Sequence, residues 1–270
     1  MGYMMGEKPV LQWHPAFYGG MQIELAGERE KLIFENEHQL GTKPKEIDVL
    51  IIKKSPEIEI QKNIGRIFRT YNIVEYKSPT DYLSVDDFYK VYAYACFYKS
   101  DAQEVNQIKA DEITITLASA RRPRELLKHL KDVRHYEVTE ENGIYYIKGD
   151  FFPIQLIVTS ELSEKENFWL RYLTDDIKEV ETAKKIVNEY EKHQNEGLYQ
   201  SVMELIVSAN SETFKEAKNM CQALKELFRE DFEKEFETIR RKEHAEGRAG
   251  NLVECINNLI NNGSSGVMVG

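Results

Sequence analysis

The chain is short of cysteine: Cys96, Cys221 and Cys255 are the only three in 270 residues, far apart and without a C-x-x-C pair. An odd, scattered set cannot close into a disulfide framework, so a reducing compartment is expected, the cytoplasm by default. Long apolar runs are missing as well. No uncharged stretch approaches the ~18 residues that a membrane helix needs, and the opening MGYMMGEKP has neither the basic nor the apolar region of a secretory signal. No membrane partner is expected. Positive charge is not in excess either: 46 Asp and Glu against 36 Lys and Arg leave a net charge of -10. That balance disfavours broad electrostatic adhesion to nucleic acid. The acids, however, crowd the C-terminal third, whereas acids and bases nearly balance over the first hundred residues.

Several motifs are absent. There is no G-x-G-x-x-G after a strand, no G-x-x-x-x-G-K-[ST] and no G-x-S-x-G, which removes dinucleotide, P-loop and serine-hydrolase readings. His14, His38, His129, His135, His193 and His244 show no H-x-x-x-H or mixed Cys/His spacing, so a zinc site is not expected. His38 is the one nearest in sequence to the acids singled out below.

What is present alternates between helical and strand patterns. Pro15 reads as a first-turn proline, and Phe17, Met21 and Leu25 recur every four residues, predicting a helix over 15–28. A strand at 32–37 and a turn at Gly41-Thr42-Lys43-Pro44 follow, then two covered strands at 47–52 and 71–77. Ser84 is placed to cap a second helix carrying Phe88, Val91, Tyr92, Ala95 and Tyr98. A strand at 113–117, a helix opened by Pro123, an Asn142-Gly143 hairpin and a strand at 153–159 complete a mixed α/β domain.

From the capping-box pattern Ser163-x-x-Glu166 onward the chain reads as helix, with predicted helices at 177–190, 198–209 and 214–241. The last has a narrow stripe at Leu224, Phe228, Phe232 and Phe236, which needs a partner surface within the chain or in a second copy. The expected division is a domain at 10–162, a helical region at 163–260 that serves self-association, and a flexible tail at 261–270.

One group of residues carries chemistry. Side chains alternate along a strand, so Glu75 and Lys77 in Val74-Glu75-Tyr76-Lys77 project to one side and Tyr76 to the other. Asp48 opens a strand otherwise made of Ile47, Val49, Leu50, Ile51 and Ile52, where a charge is costly unless paired or bound to metal. If the two strands are neighbours, Asp48 and Glu75 approach closely enough to repel unless a cation lies between them. Oxygen donors of this kind suit Mg2+, or Mn2+ as an alternative. Glu24, on the margin of the first helix's buried stripe, is a third candidate ligand. A metal there would activate water beside a phosphate, with Lys77 orienting the water and steadying developing charge. That combination is the chemistry of phosphodiester hydrolysis.

The order of a helix with Glu24, a strand with Asp48, a strand with Glu75-x-Lys77 and then a helix resembles the PD-(D/E)xK nuclease superfamily. Segments GGMQIELAGERE, KPKEIDVLIIKK and NIVEYKSP are similar to those of PD-(D/E)xK family transposase and recombination-promoting nuclease-like proteins, over about residues 10–160. Ile47 stands where the superfamily's proline precedes the central acid. The resemblance implies a restriction-endonuclease-like mixed sheet flanked by helices. It also implies a Mg2+-dependent DNA endonuclease serving recombination or transposition, or an inactive DNA-binding or regulatory relative that keeps the fold. Glu24 would match the first-helix acid, Asp48 the central acid, and Glu75 with Lys77 the acid-x-lysine pair, with the Tyr76 carbonyl facing the metal. Arg66, Arg69, Lys53 and Lys54, and more remotely Arg121, Arg122 and Arg124, are candidate phosphate contacts. Tyr89 and Tyr92 project from the second helix and read as core or as neighbours of the site.

Overall fold

The computed structural model describes residues 11–39 and 46–218, and the chain divides into two compact units, Met1–Asp175 and Asp176–Gly270. In the first, α1 (Trp13–Glu24) buries Phe17 and Met21, with Leu25 just beyond its end. The helix begins two residues before Pro15. Proline is tolerated there because amides of the first turn have no helical partner to lose. After Glu24 the chain tightens into a 3-10 segment, Ala26–Lys31, rather than continuing as α-helix to residue 28.

The sheet holds seven strands: β1 (Leu32–Gln39), β2 (Glu46–Lys53), β3 (Tyr71–Lys77), β4 (Ile113–Ser119), β5 (Glu137–Glu141), β6 (Ile144–Lys148) and β7 (Ile154–Val158). Their spatial order is β1-β2-β3-β4-β7-β6-β5. β3, β4 and β7 run parallel in the middle, while β1, β2, β6 and β5 are joined antiparallel on the flanks. Central strands are covered on both faces, which is why β4 is buried at every position and β3 at all but its two ends.

The crossover from β3 to β4 is α2 (Val85–Ser100), which buries Phe88, Val91, Tyr94 and Ala95 against Ile73, Ile115 and Leu117. Ser84 caps it as expected: its hydroxyl accepts from the Asp87 N–H, and the Asp87 carboxylate accepts from the Ser84 N–H. α3 (Arg124–Asp132) buries Leu126 and Leu130 in the same core. Between β5 and β6, Asn142 and Gly143 both adopt positive φ, 51° and 83°, as a two-residue hairpin requires.

Strands β3, β4 and β7 also carry Asn72, Thr114, Thr116 and Gln155, all fully buried. Thr114 donates to Asn72, Gln155 donates to Thr116 and to the Ile64 carbonyl, and Asn72 donates to the carbonyls of Ile51 and Arg69. Hydrogen bonding of this kind is what makes buried polar side chains tolerable in a sheet interior.

One boundary differs from the sequence reading. Ser163 does not open a helix: the Glu166 and Asn167 amides both donate to the Ser163 carbonyl, forming a turn, and α4 is confined to Phe168–Arg171. The start of α4 is satisfied by a carboxylate from α1 instead of a local cap. The division between the two compact units falls at Asp175.

The second unit is described through Lys218 and contains α5 (Val180–Tyr190), α6 (Gly197–Ala209) and α7 (Ser211–Lys218). Asn210 accepts from the Ile177 N–H, and the Thr213 hydroxyl donates to the Ile177 carbonyl, tying the entry of α5 to the α6–α7 corner. The predicted turn at Gly41–Pro44, most of the predicted helix at 214–241 with its Leu224, Phe228, Phe232 and Phe236 stripe, Cys221, His244, Cys255, the 261–270 tail and the His38 side chain lie outside the described residues. No described helix is long and apolar enough to cross a membrane.

Candidate functional site

β2 and β3 pair from Ile52↔Tyr71 to Val49↔Val74, where the ladder stops. The next residues along that register are Asp48 and Glu75, so an antiparallel sheet sets these two acids opposite one another. The ladder is not continued by backbone alone. The Tyr76 N–H, on the strand beside Glu75, donates to Asp48 Oδ2 at 2.9 Å. Asp48 Oδ1 lies 3.7 Å from His14 Nδ1, at the start of α1. The expected juxtaposition of Asp48 with Glu75 is therefore present, and it follows from strand register.

Glu75 is 2% exposed. Its Oε1 is 3.0 Å from Lys90 Nζ and 3.8 Å from Lys77 Nζ, while Oε2 is buried with no hydrogen-bond partner. Burial, and after it the neighbouring Asp48 charge, push the Glu75 carboxyl up to about 7 against the opposing pull of Lys90 and Lys77. A carboxylate so placed is short of positive charge on one side.

Lys77 shares the Glu75 side of β3 as the alternation predicts, but its closer partner is Asp87 Oδ1 at 2.9 Å. Burial raises the Asp87 carboxyl, yet hydrogen bonds from Ser84 and Lys77 outweigh it and hold the group below the usual range. The same Asp87 thus caps α2 and retains Lys77. Tyr76 turns its ring to the other face, stacked on Phe17 with centroids 4.0 Å apart, and burial drives its phenol far above the ordinary value.

Glu24 is not brought to this group. It lies ten positions after His14 on α1, about 15 Å along the helix axis. Its Oε1 accepts from the Trp169 N–H at 2.8 Å and the Leu170 N–H at 3.3 Å, and its Oε2 pairs with Lys62 at 2.9 Å. Those amides are the orphan donors of the first turn of α4. The helix stripe correctly turned Glu24 inward, but toward α4 and not toward Asp48.

Among the described residues, no group of three or more His, Cys, Asp and Glu side chains could by itself hold a metal ion. Asp48 and Glu75 fit a cation that takes one or two carboxylates and completes its sphere with backbone oxygens and water, as Mg2+ does. The unpartnered Glu75 Oε2 is the observation that agrees with such a donor set.

Three neighbours were not singled out from sequence: His14, Asp87 and Lys90. For the last two a signal existed, since helix phase puts Asp87 and Lys90 beside the buried stripe of Phe88, Val91 and Ala95. The basic residues proposed to meet phosphate are mostly engaged: Arg66 with Glu141 at 2.6 Å, Arg122 with Glu161 at 2.8 Å, Lys54 with Glu30 at 4.0 Å. Lys53 is buried and donates to the Pro56 carbonyl. Tyr92 belongs to a structural cluster, donating to Asp150 at 3.0 Å, whereas Tyr89 is exposed and bonded to His129.

Compared with protein-family models, curated proteins and solved structures, the chain finds no match in any of the three.

Proposed function

We propose that this chain is a Mg2+-dependent DNA endonuclease of the PD-(D/E)xK type, built on a restriction-endonuclease-like core and linked to recombination or transposition. The observation that carries the reading is the facing pair Asp48 and Glu75 at the end of the β2–β3 ladder, with Glu75 Oε2 buried and without a partner. Two carboxylates held this way repel unless a cation joins them.

In this reading Asp48 and Glu75 donate the carboxylate oxygens. The Tyr76 N–H reaches Asp48, and because a strand residue's carbonyl leaves on the same side as its N–H, the Tyr76 carbonyl would add a backbone oxygen. When bound, Mg2+, or Mn2+ in its place, supplies an acidified water and neutralises phosphate charge. Lys77, on the Glu75 side of β3, orients that water and stabilises charge developing on the phosphate, once DNA draws its ammonium from Asp87. Glu24 takes no part in this scheme. Action is cytoplasmic, and a second copy of the chain, joined through the helical C-terminal region, would present a second site to the opposite DNA strand.

The test is nicking of supercoiled plasmid in Mg2+ and Mn2+. Asp48→Ala and Lys77→Ala are expected to reduce nicking on the order of a hundredfold or more, with melting transitions retained. Undiminished nicking in both variants removes the assignment.

The second reading is a DNA-binding or regulatory protein that keeps the fold without cutting. It is favoured by the 2.9 Å bond holding Lys77 on Asp87 and by the commitment of Glu24 to α4. It predicts retention of DNA with no cleavage in either metal, and little change on Glu75→Gln.

A further inference from the structure

Glu75 already has a cation, and it comes from another element. Lys90 sits on the second turn of α2, half exposed along its side chain, and reaches down so that Nζ is 3.0 Å from Glu75 Oε1. Its ammonium lies 5.3 Å from the Tyr94 ring centroid. Lys77, the strand lysine, is farther from the same oxygen at 3.8 Å and is held on Asp87 at 2.9 Å. The two lysines therefore have different partners: Lys90 neutralises Glu75, and Lys77 belongs to the cap of α2.

We propose that Lys90 is a built-in counter-cation for Glu75 that a divalent ion must displace, making Lys90 a positioning and gating residue of the site. The proposal rests on the reading of Asp48 and Glu75 as a divalent-metal site. An ammonium on Oε1 and a divalent ion drawing on the same carboxylate compete for one negative charge. Lys90 can yield because its side chain is long and 45% exposed, whereas Lys77 is 20% exposed and, in the absence of DNA, is held at 2.9 Å by an Asp87 carboxylate that the helix cap fixes. A long lysine side chain permits such an exchange, since its stem stays packed while the head swings. Once displaced, the ammonium remains within reach of the site, where an incoming phosphate is its natural partner.

Isothermal titration of Mn2+ into the full chain without DNA tests this directly. Lys90→Met is expected to tighten Mn2+ binding on the order of tenfold, because a competing, partly exposed ion pair is removed. Lys77→Met is expected to change it by less than about threefold, because Lys77 is spent on Asp87. Lys90→Gln, which keeps a polar end, serves as the second variant and is expected to move affinity in the same direction. Mn2+ binding that neither Lys90 variant strengthens overturns the displacement and leaves the metal site standing. Equal strengthening by Lys77→Met also overturns it. Failure of the parent chain and all variants to bind Mn2+ overturns the metal site itself, and the displacement with it.

Discussion

At the residue scale, Glu24 and Glu75 show how two buried carboxylates come to opposite uses. Both oxygens of Glu24 have donors, two backbone amides of α4 on Oε1 and Lys62 on Oε2. Glu75 keeps one oxygen without a partner and faces a second acid. Removing a fully satisfied buried carboxylate leaves its donors unpaired, which costs about 2–4 kcal/mol. Glu24→Ala is accordingly expected to lower the unfolding free energy by that amount, read as a lowered urea midpoint, while the affinity for Mn2+ stays within about twofold of the parent. A Glu24→Ala chain of parental stability that no longer binds Mn2+ would return Glu24 to the ligand set.

At the element scale, local pattern and long-range demand agree in most places. The β5–β6 hairpin is one: Asn142-Gly143 supplies two positive φ values that few other pairs adopt cheaply. Gly143 has a second reason to be glycine. A Cβ there would lie 2.6 Å from the Glu161 carbonyl carbon and 2.7 Å from the Leu162 nitrogen, both backbone atoms that cannot swing away. Gly143→Ala is expected to destabilise the first unit by about 2 kcal/mol or more, read as a lowered urea midpoint. An unchanged midpoint would mean that the 161–162 backbone gives way. The α2 element makes a different point, because its capping box is also the anchor of Lys77. Helix capping and site electrostatics share one carboxylate, that of Asp87.

At the scale of the whole molecule, the net charge of -10 works against broad adhesion to nucleic acid, so under the proposed function DNA would be held by few phosphate contacts at one place. Two copies acting together would offset that weakness. The stripe of Leu224, Phe228, Phe232 and Phe236, which falls every four residues in the sequence and lies outside the described residues, is the segment to which the proposed self-association assigns that role. Light scattering of the full chain is expected to give a dimer, and Phe228→Glu with Phe232→Glu a monomer. A strictly monomeric parent chain would sink this expectation.

The sequence by itself determined the mixed α/β character of the first unit, the strands at Asp48 and at Glu75, the cap of α2, and the shared side of Glu75 and Lys77. Each depends on periodicity or on neighbours a few positions apart, and backbone geometry converts those directly into faces and turns. Only the tertiary structure decided that β2 and β3 are neighbours in the register that sets Asp48 opposite Glu75. It also decided that Glu24 caps α4 across 145 positions of sequence, and that Lys90 rather than Lys77 is the nearer cation of Glu75. Those outcomes turn on which unsatisfied donor or charge lies closest in space once the core has packed, and residues far apart in the chain carry no local mark of that choice.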